Sequence, residues 1–193
     1  MIEKIKKAMN QFKEVIDNQK DYLNDLDRNI GDGDHGSNMQ RGMDAVIEKI
    51  NHSEYHDLSS LYKDIGMQLV SKVGGASGAL YGTAFIEMSK SAVQESNILN
   101  QLLDAFEGIK RRGQSDVGEK TMLDVWGPVL NAIQERKLTE EVIIDSVEKT
   151  KPMKATKGRA SYLGERSIGH IDPGAQSSGY LFQSLLETGV FDE

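Results

Sequence analysis

Apolar residues recur at intervals of three and four along almost the whole chain, and no segment alternates apolar and polar residues for long. Such spacing forms one face of an amphipathic helix, whereas a half-buried strand needs strict alternation. The pattern divides the chain into about eight helices, so we predict an all-α fold. We expect the first helix to end near Asp25 and the last to begin near Ala175. Thr139 and Asp172 are suited to cap the last two helices, and Asp172 can alternatively bond a ribose or base.

The four most unusual connections between the predicted helices are expected to lie together. Short connections make neighbouring helices of a bundle antiparallel, so every second connection falls at the same end. The connections at one end are residues 27–38, 74–78, 113–121 and 157–174, which contain most of the glycine-rich and unusual polar sequence. Loops held together by a rigid scaffold commonly carry function. The sequence therefore predicts a composite ligand site at this end.

The first of these connections carries three carboxylates, those of Asp27, Asp32 and Asp34, interspersed with glycines. On a tight turn they would repel one another unless a divalent cation neutralised them, and hard ions such as Mg²⁺ prefer carboxylate oxygen as a ligand. The alternative is a solvated acidic turn, because Asp and Gly are ordinary turn residues. The crowding of negative charge favours the metal site.

Three familiar nucleotide-binding and calcium-binding motifs do not fit the chain. Residues 31–36 match G-x-G-x-x-G, but the residues before them are polar and acidic where a dinucleotide fold needs a buried strand. An EF-hand loop that starts at Asp32 finds Ser37 and Met43 where glycine and glutamate are required. Residues 113–121 resemble a Walker A loop with one residue inserted, but no buried strand precedes them. A nucleotide would have to be bound by another design.

Composition narrows the classes of protein to consider. The 193 residues include no cysteine, which excludes disulfides and thiolate metal sites. The formal net charge of −7 argues against a general nucleic-acid-binding protein. No stretch is apolar for long enough to cross a bilayer or to act as a signal peptide, so we expect no membrane partner and a cytoplasmic location. Because no linker-like segment divides the chain, residues 1–193 are predicted to form one domain.

The remaining unusual connections contain groups suited to binding phosphate. Residues 74–78 precede a helix whose first N–H groups, with the Ser77 hydroxyl, can hold a phosphate, although a flexible turn explains the glycines equally well. Arg159 and Arg166, in the long connection 157–174, can clamp a phosphate or pair with carboxylates on the surface. Metal-binding carboxylates, helix N-termini and arginines without an evident nucleophile favour phosphoryl transfer, which needs positioning and charge neutralisation.

These same segments resemble a known family, the nucleotide-binding L subunit of dihydroxyacetone kinase. The resemblance covers nearly the whole chain and is carried by Leu26-Asp-Arg-Asn-Ile-Gly-Asp-Gly-Asp-His-Gly36, Gly74-Gly-Ala-Ser-Gly78, Gly118-Glu-Lys-Thr-Met122, Gly158-Arg-Ala-Ser-Tyr-Leu-Gly-Glu-Arg166 and Asp172-Pro-Gly-Ala175. It implies a closed barrel of about eight antiparallel amphipathic helices. It also implies that ADP or ATP is held at one rim of the barrel through two Mg²⁺ ions.

Carried over position by position, the resemblance implies a set of site residues. The metal ligands would be Asp27, Asp32 and Asp34. The implied nucleotide contacts come from all four connections and are His35, Gly36, Ser37, Asn38, Ala76, Ser77, Gly113, Met122, Arg159, Asp172, Pro173 and Gly174. The histidine that holds dihydroxyacetone belongs to the K subunit of the family, so no catalytic residue is assigned in this chain.

The family has two branches, which differ in how the nucleotide is used. In the ATP-dependent branch the L domain is fused to the K domain, whereas in the phosphotransferase-dependent branch K, L and M are separate subunits, and a chain of 193 residues resembles the latter. There the M subunit draws on phosphoenolpyruvate to rephosphorylate bound ADP, and the K subunit receives the γ-phosphoryl group on dihydroxyacetone. The alternatives are the nucleotide subunit of an ATP-dependent kinase, the L-like domain of fatty acid kinase, and a non-catalytic regulator that binds Mg-nucleotide. A homodimer is a further option.

Overall fold

The computed structural model describes residues 1–95 and 97–192, and within them it contains helices and turns but no strands. The α-helices, in chain order, are α1 (Ile2–Ile30), α2 (His35–Asn51), α3 (Leu58–Lys72), α4 (Gly75–Ser91), α5 (Ile98–Gly113), α6 (Leu123–Gln134), α7 (Glu140–Glu148) and α8 (Pro173–Glu187). A 3-10 helix (Arg159–Ser167) lies between α7 and α8. The predicted all-α fold is confirmed. In this described part of the chain, no helix combines the length and apolarity that a membrane span would require.

The α-helices form a closed ring. Each helix packs against the one that follows it in the chain, and α8 packs against α1. Buried apolar side chains from all of these helices form one continuous core inside the ring. At its centre, Trp126 of α6 packs edge-on against Phe182 of α8, with 5.0 Å between the ring centroids, a favourable arrangement for two aromatic rings. The closed barrel implied by the family resemblance is therefore confirmed.

Glycines allow neighbouring helices in the first half of the ring to approach closely. A Cβ atom on Gly36 of α2 would lie 2.0 Å from the carbonyl oxygen of Lys20 in α1. A Cβ atom on Gly82 of α4 would lie 2.2 Å from Cγ2 of Val70 in α3. A larger residue at Gly36 would force α1 and α2 apart, because the atom that it meets belongs to the backbone, whereas at Gly82 the Val70 side chain would have to move. The tight packing of α1 on α2 fixes the geometry of the acidic connection between them.

Side-chain caps mark the starts of α7 and α8, as predicted. Thr139 accepts a hydrogen bond from the N–H of Val142 at 3.3 Å. Asp172 accepts one from the N–H of Ala175 at 2.8 Å. Pro173 occupies the first turn of α8, where the absence of its N–H removes no bond within the helix. These local contacts fix where the helices begin at the rim of the ring.

Two helix boundaries differ from the prediction. Helix α1 continues past Asp25 to Ile30, because the Ile30 side chain is itself buried and extends the apolar face of the helix. Helix α4 begins at Gly75, so residues 75–78 form its first turn rather than a loop. As a consequence, Asp27 lies on the last turn of a helix, where its side chain has a defined direction.

Candidate functional site

An open cleft of about 400 Å³ lies at the rim where the four unusual connections meet. Its lining is drawn from residues 27–38, 74–80, 109–122 and 157–174. The lining includes every metal ligand and nucleotide contact that the family resemblance implies, except Gly36 and Ser37. The structure thus brings the four connections together, as the antiparallel arrangement predicts. The roles of the individual residues stay predictions.

Asp27, Asp32 and Asp34 form an acidic edge of the cleft. The Oδ2 atom of Asp27 accepts the N–H groups of Asp34 at 2.9 Å and His35 at 3.1 Å. Burial raises the pKa of the Asp27 carboxyl and the charge of Asp34 adds to the rise, while the two N–H groups oppose it. Gly31 leaves room for this carboxylate, because a Cβ atom there would lie 2.1 Å from Asp27 Oδ1. Negative charge is concentrated where a cation would relieve the repulsion.

The third carboxylate of this edge, that of Asp32, is paired with Arg159 of the 3-10 helix. Among the residues that the structure describes, no group of three or more histidine, aspartate or glutamate side chains is arranged to hold a metal ion. Mg²⁺ rarely takes all its ligands from protein, and commonly binds one or two carboxylates together with water and phosphate oxygens. The oxygen donors at the acidic edge fit such a partial set. The assignment of Asp27, Asp32 and Asp34 as metal ligands stays a prediction that their chemistry supports.

Helix α2 begins beside the acidic edge with His35. Burial lowers the pKa of its imidazole to about 4, although the charge of Asp34 opposes the fall, so the ring is neutral at neutral pH. Its Nδ1 atom lies 3.1 Å from Ser77 Oγ, and its Nε2 atom lies 2.9 Å from Ser177 Oγ. Asn38, one turn further along α2, also lines the cleft. The start of α2 therefore presents one buried neutral ring and one amide to the cleft.

Gly36 and Ser37 point toward α1 instead. The Ser37 N–H donates to Asn24 Oδ1 at 3.0 Å, and Asn24 Nδ2 donates to Ser37 Oγ at 3.0 Å. Successive residues of an α-helix are rotated by about 100°, so the two residues after His35 are turned away from the side that His35 faces. A direct nucleotide contact from Gly36 or Ser37 stays a prediction that the lining of the cleft does not support.

The N-terminus of α4 forms the second side of the cleft. Gly75 adopts a φ of +66°, a backbone conformation that favours glycine, and Ala76 and Ser77 follow it into the cleft lining. The first N–H groups of a helix have no acceptor within the helix, and the helix dipole makes this end partly positive. Such an end is a natural binding site for a phosphate.

The connection between α5 and α6 forms the third side, with Gly113 and Met122 in the lining. The buried carboxylate of Asp124 holds this connection in place by accepting the N–H groups of Gly118 at 2.5 Å and Thr121 at 2.7 Å. Sequence reasoning did not identify Asp124. Its position in the first turn of a predicted helix was the available signal, because aspartate there readily bonds local N–H groups.

Lys120 is a second residue of this side that the sequence analysis missed. Its side chain is almost fully buried, at 1% exposure. The ammonium donates to the carbonyl oxygens of Thr150, at 2.7 Å, and His170. Burial lowers the pKa of Lys120, while the carboxylate of Asp172 opposes the fall. Thr150 and His170 lie on opposite sides of the 3-10 helix in sequence, so one ammonium ties both ends of that long connection to the third side of the cleft.

Replacing Lys120 by Met is expected to lower the free energy of unfolding by about 2–3 kcal/mol, because hydrogen bonds from a charged donor to buried carbonyls are lost. Residues 150–171 should also exchange their amide hydrogens faster. Urea unfolding and hydrogen exchange measure the two effects. Lys149→Met changes an exposed lysine at the end of α7 and serves as the control, with an expected effect within about 0.5 kcal/mol. Equal effects in the two variants would contradict this role for Lys120.

The 3-10 helix forms the fourth side of the cleft. Gly158, with a φ of +63°, precedes it, and Arg159 and Ala160 line the cleft. Arg166, the other arginine predicted to clamp phosphate, is exposed and lies outside the lining. Tyr162 is 87% exposed at the outer surface of the same helix. Of the two arginines, Arg159 is the one placed to reach a ligand.

Asp172, Pro173 and Gly174 complete the lining where α8 begins. Burial raises the pKa of Asp172 to about 7, and the nearby charges of Asp124 and Asp27 also raise it, whereas the Ala175 N–H and the Lys120 ammonium oppose the rise. Asp172 is thus partly protonated at neutral pH in the folded protein, while it is ionised in the unfolded chain.

The raised pKa of Asp172 predicts a pH dependence of stability. Between about pH 4 and 7 the folded protein binds a proton at Asp172 that the unfolded chain has lost, so stability falls as the pH rises through this window. Asp172→Asn keeps a side-chain acceptor for the Ala175 N–H and cannot ionise. Relative to the variant, the wild type should lose up to about 1.4 kcal/mol per pH unit, measured by urea unfolding from pH 4.5 to 8 without added ligand. Parallel stability curves would contradict the shift.

A family model and individual relatives of known name both match most of this chain. The family described as the DAK2 domain matches residues 29–187. The chain is 53% identical over 186 residues to the PEP-dependent dihydroxyacetone kinase 1, ADP-binding subunit DhaL, of Listeria innocua, and the match covers 94% of each chain. It is 49% identical over 179 residues to the PTS-dependent dihydroxyacetone kinase, ADP-binding subunit DhaL, of Lactococcus lactis, covering 93% of each chain.

A solved structure shares the fold. The crystal structure of the dihydroxyacetone kinase of C. freundii superposes with a TM-score of 0.78 at 24% sequence identity. The match covers 95% of this chain and 34% of that chain, so this protein spans about a third of the length of the solved structure. At this identity the likeness establishes the helical fold alone.

Proposed function

The chain belongs to the DAK2 domain family, and we propose that it is the ADP-binding subunit of a phosphoenolpyruvate-dependent dihydroxyacetone kinase. The observation that carries the proposal is the composition of the cleft. One space of about 400 Å³, within the range usual for small-ligand sites, is bordered by the acidic edge, the N-terminus of α4 and Arg159. Carboxylates suit a hard cation, and a helix N-terminus and an arginine suit the phosphates that such a cation accompanies.

In this role the chain positions its ligand rather than attacking it. The M subunit would transfer a phosphoryl group, drawn from phosphoenolpyruvate, to bound ADP, and the K subunit would receive it on dihydroxyacetone. Mg²⁺, when bound, supplies neutralisation of the phosphate charge. His35, the one imidazole among the described residues of the lining, is neutral and has both ring nitrogens hydrogen-bonded, so it is not free to act as a nucleophile. Positioning and charge stabilisation are what phosphoryl transfer requires most from a protein.

The names of the curated relatives support the phosphoenolpyruvate-dependent branch over the ATP-dependent one. The two relatives described above are named as PEP-dependent and PTS-dependent ADP-binding subunits and resemble the chain across most of its length. The proposal has four further parts: the K and M subunits are partners, two Mg²⁺ ions are bound, residues 1–193 form a single domain, and the location is cytoplasmic. A homodimer stays an open prediction.

The experiment that tests the proposal identifies what the purified protein carries. The protein is denatured, the released nucleotide is separated by ion-exchange chromatography, and Mg²⁺ is measured on the same sample. Stoichiometric ADP with Mg²⁺ supports a bound coenzyme. An empty protein that binds and exchanges ATP freely would favour the subunit of an ATP-dependent kinase, and the absence of affinity for nucleotide and metal would overturn the proposal.

A second assay separates the enzyme subunit from a non-catalytic regulator. The chain is combined with K and M subunits, the phosphotransferase components and phosphoenolpyruvate, and the formation of dihydroxyacetone phosphate is followed. Product that depends on the chain supports the proposal. A regulator would bind Mg-nucleotide in the first experiment and yield no product in the second.

A further inference from the structure

A set of buried hydroxyl groups lies beneath the cleft, between α6, α8 and α4. Trp126 Nε1 donates to Ser178 Oγ at 3.1 Å. Ser178 Oγ lies 2.9 Å from the hydroxyl of Tyr81, which lies 2.7 Å from Ser177 Oγ. All four side chains are at most 1% exposed. None of them lines the cleft, so they are connected to it only through their neighbours.

The connection to the cleft runs through His35. Ser177 Oγ lies 2.9 Å from His35 Nε2, and Ser77 Oγ lies 3.1 Å from His35 Nδ1. Both His35 and Ser77 belong to the cleft lining. A hydrogen-bond chain therefore extends from Trp126 through Ser178, Tyr81, Ser177 and His35 to Ser77, and it joins α6, α8, α4 and α2.

The direction of this hydrogen-bond chain follows from counting protons. An indole N–H can only donate, so Ser178 must accept from Trp126. Within the described residues, the other hydrogen-bond partner of Ser178 is Tyr81, and a buried hydroxyl proton needs an acceptor. Ser178 therefore donates to Tyr81. Tyr81 in turn donates to Ser177 at 2.7 Å in preference to the carbonyl of Gly174 at 3.4 Å.

The hydroxyl proton of Ser177 has two possible acceptors, which lie at different distances from Ser177 Oγ. His35 Nε2 lies 2.9 Å away, whereas the carbonyl oxygen of Gly174 lies 3.2 Å away. The shorter contact favours Nε2 as the acceptor, and an imidazole that accepts at Nε2 carries its ring proton on Nδ1. Nδ1–H then donates to Ser77 Oγ. The Ser77 hydroxyl proton is not donated to any other member of the hydrogen-bond chain, so it can point into the cleft.

We propose that this hydrogen-bond chain runs in one direction, from Trp126 to Ser77, and thereby presents the Ser77 hydroxyl as a donor to a phosphate oxygen in the cleft. Ser178, Tyr81 and Ser177 are then positioning residues of the nucleotide site, although none touches the ligand. In the reverse arrangement at His35, Ser77 would donate to Nδ1 and would present only lone pairs to an anion. The donation from Ser77 to a phosphate rests on the proposed function, whereas the direction of the hydrogen-bond chain does not.

The direction is tested by the tautomer of His35 in the protein without ligand. Long-range ¹H–¹⁵N correlation spectra distinguish a protonated from an unprotonated ring nitrogen, and a His35→Asn variant identifies the resonances among those of the four histidines. The expected result at neutral pH is a protonated Nδ1 and an unprotonated Nε2. A protonated Nε2, alone or together with Nδ1, would overturn the proposed direction.

The role of the remote residues is tested with Ser178→Ala, which breaks the chain between Trp126 and Tyr81. We expect a mixture of His35 tautomers and an affinity for MgADP that is weaker by about fivefold to tenfold, which is the size of one ordinary hydrogen bond. Ser178→Thr restores a hydroxyl and should recover both properties. The matched control is Ser184→Ala, another buried serine of α8, whose hydroxyl donates instead to the Tyr180 carbonyl at 2.9 Å.

The outcomes separate this inference from the proposed function. If His35 of the wild-type protein has the Nδ1–H tautomer but the protein does not bind MgADP, the proposed function fails while the direction of the hydrogen-bond chain stands. If MgADP binds and Ser178→Ala behaves like Ser184→Ala in both tautomer and affinity, the remote positioning role is overturned. The wild-type spectrum decides the direction even if Ser178→Ala does not fold.

Discussion

The Asp32→Ala variant is expected to be purified without the nucleotide that the wild-type protein should retain under the proposed function. Asp32 lies at the mouth of the cleft and is assigned as one of the carboxylates that would hold Mg²⁺ against the phosphates. Losing an outer-shell partner of a metal already costs roughly 10-fold to 100-fold in affinity, so the loss of a direct ligand should weaken MgADP binding by at least about 100-fold. Isothermal titration with ADP, with and without Mg²⁺, measures the change.

The pairing of Asp32 with Arg159 requires a second variant. If Asp32 acts only by holding Arg159, then Arg159→Ala should reproduce the Asp32→Ala result. If Asp32 is a metal ligand, Asp32→Ala should abolish the dependence of binding on Mg²⁺, whereas Arg159→Ala should weaken binding and leave that dependence intact. Asp21→Ala removes one exposed carboxylate from α1 and controls for the change of net charge. Full nucleotide retention by Asp32→Ala would remove the basis for a metal site at this edge.

The second large effect is expected at Gly36, and it concerns stability. A Cβ atom at this position would lie 2.0 Å from the backbone carbonyl oxygen of Lys20, a distance at which α1 and α2 must move apart. Because a backbone atom of a packed helix cannot turn away as a side chain can, Gly36→Ala should lower the free energy of unfolding by about 2–3 kcal/mol. The shift of α2 should also displace His35 from Ser77 and Ser177.

Gly127→Ala is the matched control, since Gly127 also lies within a helix, α6. A Cβ atom there would meet Cγ2 of Val117 at 2.8 Å, but that atom ends a side chain that is 46% exposed and can rotate. Alanine is favoured over glycine in a helix by about 1 kcal/mol, but a Cβ atom directly before Pro128 is disfavoured in the helical conformation, so the two effects oppose each other and Gly127→Ala should change stability by no more than about 1 kcal/mol. Urea unfolding of both variants decides the matter. A small, equal change in the two would show that α1 and α2 are less rigidly packed than their contact implies.

Both predictions concern the same part of the molecule, the junction of α1 with α2. Here the carboxylates of Asp27 and Asp34, the imidazole of His35 and the closely packed Gly36 fall within ten positions of the chain. The tight helix packing on one side of the junction holds the polar groups on the other side at fixed positions. Preorganisation of this kind is what a site for phosphoryl transfer requires, because the protein's main contribution is geometry and charge.

Much of the fold and of the cleft can be predicted from the sequence, because the signals are local. The three-and-four spacing of apolar residues predicts helices, and the loop compositions mark which connections are unusual. The alternation of direction in a bundle then places those connections at one end, which is where the structure has the cleft. The capping residues Thr139 and Asp172 are recognisable for the same reason, since a cap contacts its own first turn.

Other features depend on contacts between distant parts of the chain, and no local pattern reports them. Arg159 meets Asp32 across 127 positions, and Tyr81 meets Ser177 across 96. Nothing in the sequence next to Lys120 indicates that its side chain is buried. The contacts of its ammonium with carbonyl oxygens of the last connection become visible only in three dimensions. The family resemblance implies nucleotide contacts for Gly36 and Ser37, whereas in the structure the rotation of about 100° per residue turns both residues toward α1. Local composition thus sets which segments form the site, while the packing of helices determines which side of each residue faces it.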